Sequence, residues 1–238
     1  MVHTQERCFH SAIIGHTHPR PLGVDELVDD AVRCAAIELE QRSAELGHEL
    51  NEIAHLTPVL EECFESMGAN VIRPPWRPNQ LPNWTAPPGS IDITIEIEGE
   101  HGTLRACLET KWLTENKMYE CLWDANKMAA VAELPEVAAT YLVCGASITY
   151  FDTLHCAELF RTNSVRPADL INGLPQGWWQ KYILDDSAGE FVAVSSELDL
   201  KLVANEPAEI TGKPWQLRAV GVPPTGDDPV PCVGGFPT

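Results

Sequence analysis

Three ionisable residues, Asp92, Glu109 and Lys111, are the side chains of this sequence best suited to catalysis. Two facing carboxylates repel each other unless a cation or a shared proton lies between them. Magnesium is such a cation, since it binds one or two carboxylates and completes its shell with water and phosphate oxygens. A lysine beside the metal positions an attacking water and offsets charge that develops on phosphorus. The three residues therefore predict hydrolysis of phosphodiesters with Mg²⁺ or Mn²⁺.

A predicted β-hairpin brings these residues together. Residues 91–98 alternate strictly between apolar and polar side chains, and residues 103–111 form a second strand-like run after Gly99-Glu100-His101-Gly102. A turn that is symmetric about Glu100-His101 places Asp92 opposite Glu109, with Lys111 on the same side. The other side carries apolar residues, which we expect to form the core face: Ile91, Ile93, Ile95, Ile97, Leu104, Ala106 and Leu108.

An aspartate near the start of one strand, followed by Glu109-Thr110-Lys111 at the end of the next, resembles the PD-(D/E)xK nuclease superfamily. The pattern covers residues 51–146 and continues with a predicted helix and strand, although Ile91 stands where the family pattern has a proline. The resemblance implies an α/β fold with a restriction-endonuclease-like core, in which a central mixed sheet of αβββαβ order is flanked by helices. It also implies a magnesium-dependent phosphodiesterase site.

The flanking segments predict the other elements of that order. Thr57 and Pro58 are typical of an N-cap and a first helical residue, and this helix should end at Gly68. Helical sequence also precedes and follows the hairpin, over residues 25–54, 114–134 and 152–161. Further strands are predicted over residues 70–73, 139–144, 191–195 and 216–222.

The length of 238 residues predicts one domain with a C-terminal elaboration. We expect a poorly ordered segment at 1–23, a nuclease-like domain at 24–222 with its core at 51–146 and its elaboration at 147–222, and a Pro/Gly-rich tail at 223–238. Without a long apolar run or an apolar leader, we expect a cytoplasmic protein with no membrane contact. Eight cysteines without a Cys-x-x-Cys pair predict reduced core residues.

The loop before Asp92 carries candidate substrate contacts. It contains Arg73, Arg77 and two tryptophans, Trp76 and Trp84, and it has no acidic residue. An arginine there can contact a phosphate, and a ring such as that of Trp76 can stack on a base. The alternative is a proline-stiffened loop whose tryptophans cover the core.

Further residues are candidates for completing the site. The resemblance implies a third metal ligand from a glutamate of the helix before the first strand, and the candidates are Glu52, Glu61, Glu62 and Glu65. Glu52 lies nearest the inward face if the helix continues through Pro58. Lys127, on the helix after the hairpin, is a candidate substrate contact. Glu96 and Arg105 face each other in the hairpin and predict a cross-strand ion pair.

The net charge of −19 leaves two functions open. Nucleic-acid binding draws affinity from neutralised phosphates, and residues 21–68 carry twelve acidic residues against two arginines. For a metal-dependent nuclease, acting on DNA more than RNA, we expect this acidic stretch to lie away from a positive surface at Arg73 and Arg77. The alternative is an acidic binding or inhibitor protein of the immunity type, or an inactive nuclease-like subunit, with residues 25–65 facing a protein partner.

Overall fold

The computed structural model describes residues 23–46, 52–82, 89–99, 102–113, 118–151, 192–194, 200–224 and 230–232. Its α-helices are α1 (Val24–Leu46), α2 (Thr57–Ser66), α3 (Met118–Val131) and α4 (Ile148–Phe151), and a π-helical turn (Glu52–Leu56) precedes α2. Its strands are β1 (Asn70–Val71), β2 (Ile93–Gly99), β3 (Gly102–Trp112), β4 (Val137–Ser147), β5 (Val192–Val194), β6 (Lys201–Ile210), β7 (Lys213–Gly221) and β8 (Val230–Cys232).

Six of these strands form one mixed sheet in the order β1-β2-β3-β4-β7-β6, and β5 pairs with β8. β3 and β4 are parallel and are separated in sequence by α3, whereas the other neighbours in the sheet are antiparallel. The elements from α2 to β4 follow the predicted order αβββαβ. The described chain is therefore an α/β protein with a six-stranded mixed sheet and flanking helices.

The predicted hairpin register is confirmed along β2 and β3. Thr94 pairs with Cys107 and Glu96 pairs with Arg105. β2 begins at Ile93, so Asp92 lies just before the strand rather than within it.

Both faces of the sheet are covered, and their cores differ. The face against α1 and α2, here called the α1/α2 face, buries Ile93, Ile95, Ala106 and Leu108 against residues such as Leu39 and Phe64. The face against α3, here called the α3 face, buries Cys107, Leu142 and Cys144 against Ala125, Met128 and Ala129. The predicted core face is thus one of two. Ile91 joins the α3 face, contrary to prediction, because the strand β2 begins only at Ile93.

The start of α2 differs from its prediction in one respect. Leu56, and not Thr57, is the N-cap residue, and its backbone is itself helical. The π-helical turn runs directly into α2, and Pro58 lies in the first turn, where a missing N–H is tolerated. The Thr57 hydroxyl instead lies 2.7 Å from the Thr110 hydroxyl on β3. The helical path through Pro58, on which the Glu52 assignment depended, is therefore present.

Several other predictions can be compared with the described residues. β6 was not predicted, and β8 lies within the predicted tail at 223–238. Five cysteines in the described part of the chain are free, as predicted: Cys34, Cys63, Cys107, Cys121 and Cys144. Residues 1–22, Trp84 and the predicted helix at 152–161 lie outside the described residues. None of the described helices is both long and apolar enough to cross a membrane.

Candidate active site

Glu109 and Lys111 lie near the carboxyl end of β3, where this strand runs parallel to β4. Side chains two residues apart in a strand share a face, so these two lie on the same side as Cys107, toward α3. In α/β sheets, ligands bind beyond the carboxyl ends of parallel strands. The two residues therefore occupy the part of this sheet where a site is expected.

Asp92 is held at the end of the hairpin by the residue between Glu109 and Lys111. Its Oδ2 accepts hydrogen bonds from the Thr110 N–H at 2.9 Å and from the Thr110 hydroxyl at 3.0 Å. If β2 and β3 were paired beyond Ile93, the Ile91 backbone would lie opposite Thr110. The pairing stops before this point, and the Asp92 carboxylate takes the place of the backbone partner of Thr110. Its charge is close enough to act on the pKa of Glu109.

Helix α3 contributes two ion pairs to the same region. Lys127 Nζ lies 2.6 Å from Glu109 Oε1, and Lys111 Nζ lies 3.0 Å from Asp124 Oδ2. Glu109, Asp124 and Lys127 are only 3%, 6% and 7% exposed. Four charged side chains therefore meet between β3 and α3 with little access to water.

The spacing of these residues along β3 and α3 explains why the two ion pairs form side by side. Two residues of a strand rise about 6.6 Å, and three residues of a helix rise about 4.5 Å on nearly the same face. Glu109 precedes Lys111 along β3. Their partners follow the opposite order along α3, where the partner of Lys111, Asp124, precedes the partner of Glu109, Lys127. Because a crossover helix runs antiparallel to its strands, Glu-x-Lys on the strand is paired by Asp-x-x-Lys on the helix.

Burial changes the acidity of both carboxyl groups on this face. The pKa of Glu109 is raised to about 8, mainly by burial; Lys127 opposes this effect, and the Asp124 and Asp92 charges add to it. Burial likewise raises the pKa of Asp124, against the effects of Lys111 and Lys127. Both groups thus hold a proton to a higher pH than an exposed carboxyl group does.

The carboxylates suit a hard divalent ion. Glu109 Oε1 and Asp124 Oδ2 are buried, and each is contacted by one lysine ammonium group. Asp92 and Glu109 together supply the one or two carboxylates that magnesium uses alongside water and phosphate. Among the described side chains, no three His, Cys, Asp or Glu residues converge as metal ligands. The Glu52 side chain lies outside this set, although its π-helical turn contacts β3.

Arg73 has acidic neighbours, contrary to prediction. Its guanidinium lies 2.9 Å from Glu61 and also contacts Glu65, both on α2. The acidic stretch therefore reaches the loop before Asp92 instead of lying away from it. Arg77, on the same loop, is exposed.

Trp76 covers the core, as in the alternative interpretation of the loop before Asp92. Its ring packs against the α3 face, and the Arg105 guanidinium lies 4.8 Å from the ring centroid. Arg105 also lies 3.9 Å from Glu136, while Glu96 accepts a hydrogen bond from Asn70. The predicted ion pair between Glu96 and Arg105 is therefore wrong, because each side chain has a different partner.

Asp124 was not predicted from the sequence, where its signal was an acid three positions before Lys127 on the predicted helix. With Glu109, Lys111 and Lys127, it completes a cluster of two carboxylates and two ammonium groups, and the Asp92 charge is close enough to act on the pKa of both carboxyl groups. Comparison of the chain with protein-family profiles, curated proteins and solved structures finds no match.

Proposed function

We propose that this protein is a metal-dependent nuclease with a restriction-endonuclease-like core, acting on DNA more than RNA. The observation that carries the proposal is the buried charge cluster at the carboxyl end of β3. Removing charged groups from water costs free energy, and an apolar core of similar volume is often as stable. Strongly shifted pKa values such as that of Glu109 are common at functional sites. Catalysis gives these charges a physical reason to be buried together.

Each residue has a distinct part in the proposed reaction. Asp92 and Glu109 would hold Mg²⁺ or Mn²⁺, which when bound makes a water more acidic and polarises the phosphate. Thr110 fixes the Asp92 carboxylate through two hydrogen bonds, so that ligand needs little reorganisation. Lys111 supplies positive charge beside the reacting phosphate, and Asp124 holds its ammonium group. A helix glutamate, Glu52, is the proposed third ligand.

Arg77 is the stronger of the two arginine candidates for holding the substrate. Arg73 is already neutralised by Glu61 and Glu65, so a phosphate would have to compete with two carboxylates for it. Arg77 is exposed on the loop that leads to Asp92. We therefore propose that Arg77 contacts the nucleic-acid backbone, whereas Arg73 orients the loop on α2.

The test is cleavage of single-stranded, double-stranded and branched DNA, and of RNA, with Mg²⁺ or Mn²⁺. The variants Asp92→Ala, Glu109→Ala and Lys111→Ala should each lower kcat by at least about 100-fold, because each removes a ligand or a charge at the reacting phosphate. Glu96→Ala is the matched control, since it removes an exposed carboxylate from the same hairpin. A wild-type protein that cleaves none of these substrates with either metal would exclude the proposal.

A second measurement tests the substrate surface. Arg77→Glu should weaken DNA binding and reduce its salt dependence by about one phosphate contact. Lys213→Glu, at an exposed lysine of β7, makes the same change of charge elsewhere on the molecule. Equal effects of the two variants would remove Arg77 from the binding surface.

The acidic α2 surface favours a second candidate function. Glu61 and Glu65 cover Arg73, so the negative charge of α2 extends to the loop before Asp92. Such a surface suits a basic protein partner, as expected of an inhibitor, of an immunity protein or of a nuclease subunit without its own activity. Salt-sensitive binding of a basic protein, lost in Glu61→Lys and retained in Asp92→Ala, would support this candidate. Metal-dependent cleavage by the wild type would favour the nuclease instead.

A further inference from the structure

Lys127 contacts both of the segments that carry the proposed metal ligands. Its Nζ lies 2.6 Å from Glu109 Oε1 and donates a hydrogen bond to the Ser90 carbonyl oxygen at 3.3 Å. Ser90 is two residues before Asp92 in the sequence. One buried ammonium group therefore lies between the end of β3 and the approach to β2.

We propose that Lys127 is a built-in counter-cation, which pairs with the ionised form of Glu109 in the metal-free protein and leaves this carboxylate when Mg²⁺ or Mn²⁺ binds. This inference rests on the proposed function, because it takes Glu109 as a metal ligand. It assigns Lys127 a positioning part that differs from a direct contact with substrate.

The physical reason is competition for one oxygen. A carboxylate as buried as Glu109 is strongly destabilised without a positive partner. An ammonium group and a hard divalent ion both bind such an oxygen, but their positive charges repel each other strongly at this separation in a poorly solvated site. The two cations therefore exclude each other at Glu109 Oε1.

The surroundings supply a second position for the displaced lysine. The Ser90 carbonyl already accepts a hydrogen bond from Lys127, and it can keep the ammonium group inside the site. Lys111 is a poorer candidate for this exchange, because its Nζ contacts Asp124 rather than Glu109. Metal binding would thus move one lysine of the cluster and leave the other in its ion pair.

The first test is calorimetric titration with Mn²⁺ alone, on the wild type, Lys127→Met and the matched control Lys201→Met. Lys201 forms an exposed ion pair with Asp25 on α1, so its variant makes the same substitution at a lysine outside the cluster. The titrations use the most alkaline pH at which the fold is intact, so that a proton replaces the lost ammonium as little as possible. Lys127→Met should bind Mn²⁺ about tenfold more tightly, within the usual range of coupling between two ligands.

The outcomes separate this inference from the proposed function. Equal Mn²⁺ affinity in the wild type and in Lys127→Met overturns the counter-cation, while the metal site itself survives. An absence of Mn²⁺ binding in both proteins overturns the counter-cation and the proposed function together.

A crystal structure of the wild type soaked in Mn²⁺ tests the counter-cation proposal even if Lys127→Met fails to fold. The expected result is Mn²⁺ on Glu109, with Lys127 Nζ out of ion-pair range of Oε1 and still near the Ser90 carbonyl. Mn²⁺ on Glu109 with Lys127 still in its ion pair would contradict the proposal.

Discussion

The two faces of the sheet differ in whether they bury charged side chains. On the α1/α2 face, the buried residues are almost all apolar, and charged side chains lie outside in exposed pairs such as Arg33 with Asp30. On the α3 face, Glu109, Asp124 and Lys127 are buried beside an equally apolar core. Since hydrophobic burial suffices to join helices to one face, the fold itself does not require charge on the other. The difference supports the proposal that the α3 face serves chemistry, whereas the α1/α2 face serves stability.

Breaking one buried ion pair should have the largest effect on folding. At an alkaline pH, where Glu109 is ionised, Lys127→Met leaves this carboxylate without its partner and should lower the free energy of unfolding by about 3–5 kcal/mol. Replacing both partners, in Glu109→Leu/Lys127→Met, should be neutral or should stabilise the protein by about 1–4 kcal/mol, because no unpaired charge remains. Urea unfolding of the three proteins measures both changes. A double variant clearly less stable than the wild type would show that the buried pair stabilises the fold, against this account.

A cavity in the α1/α2 face should lower the free energy of unfolding by a similar amount and should not change metal binding. Leu39 is fully buried on α1, and Leu39→Ala should lower the free energy of unfolding by about 2–5 kcal/mol. Its affinity for Mn²⁺ should stay that of the wild type, since no residue of the cluster is changed. Unfolding in urea and titration with Mn²⁺ test the two parts, and a loss of Mn²⁺ binding would show that the faces are not independent.

The hairpin that positions the site could be predicted from sequence because its information is local. Period-two alternation and a short turn fix the register, and the structure confirms that Thr94 pairs with Cys107. Asp124 could not be found in this way, since its partner Lys111 is set by how α3 packs on β3. The same limit applies to Arg105, whose contacts with Trp76 and Glu136 come from outside the hairpin. β6 was missed because Asn205 and Pro207 interrupt its strand pattern.

The buried carboxyl groups of the α3 face should also make the free energy of unfolding depend on pH. This effect should be smaller than those of the substitutions above. The unfolded chain releases the Glu109 proton near its ordinary pKa of 4.5, whereas the folded protein holds it to a pKa of about 8. Between these values the folded state binds more protons, so raising the pH lowers the free energy of unfolding. The raised pKa of Asp124 acts in the same direction.

Glu109→Gln keeps the side-chain size and removes this titration. Its urea midpoint should therefore fall less steeply than that of the wild type as the pH rises through this window. Parallel curves for the two proteins would show that Glu109 has an ordinary pKa in the folded state.

The smallest effect is expected at the exposed ion pairs around α1. Arg33→Ala removes contacts with Asp29 and Asp30 and should change the free energy of unfolding by only about 0.2–1 kcal/mol, because water screens these charges. The same urea assay measures it. A loss as large as that of Lys127→Met would remove the energetic contrast between buried and exposed pairs.

Binding of a divalent metal by Asp92 and Glu109 is the central claim, and calorimetric titration with Mn²⁺ tests it most directly. Asp92→Asn and Glu109→Gln each keep the side-chain size and remove one ligand charge, so each should weaken Mn²⁺ binding by at least about tenfold. Glu96→Gln, on the same hairpin, should bind Mn²⁺ as the wild type does. A single saturable site in the wild type that weakens in both ligand variants is the predicted result. No saturable binding, or an affinity unchanged in both variants, would contradict the account.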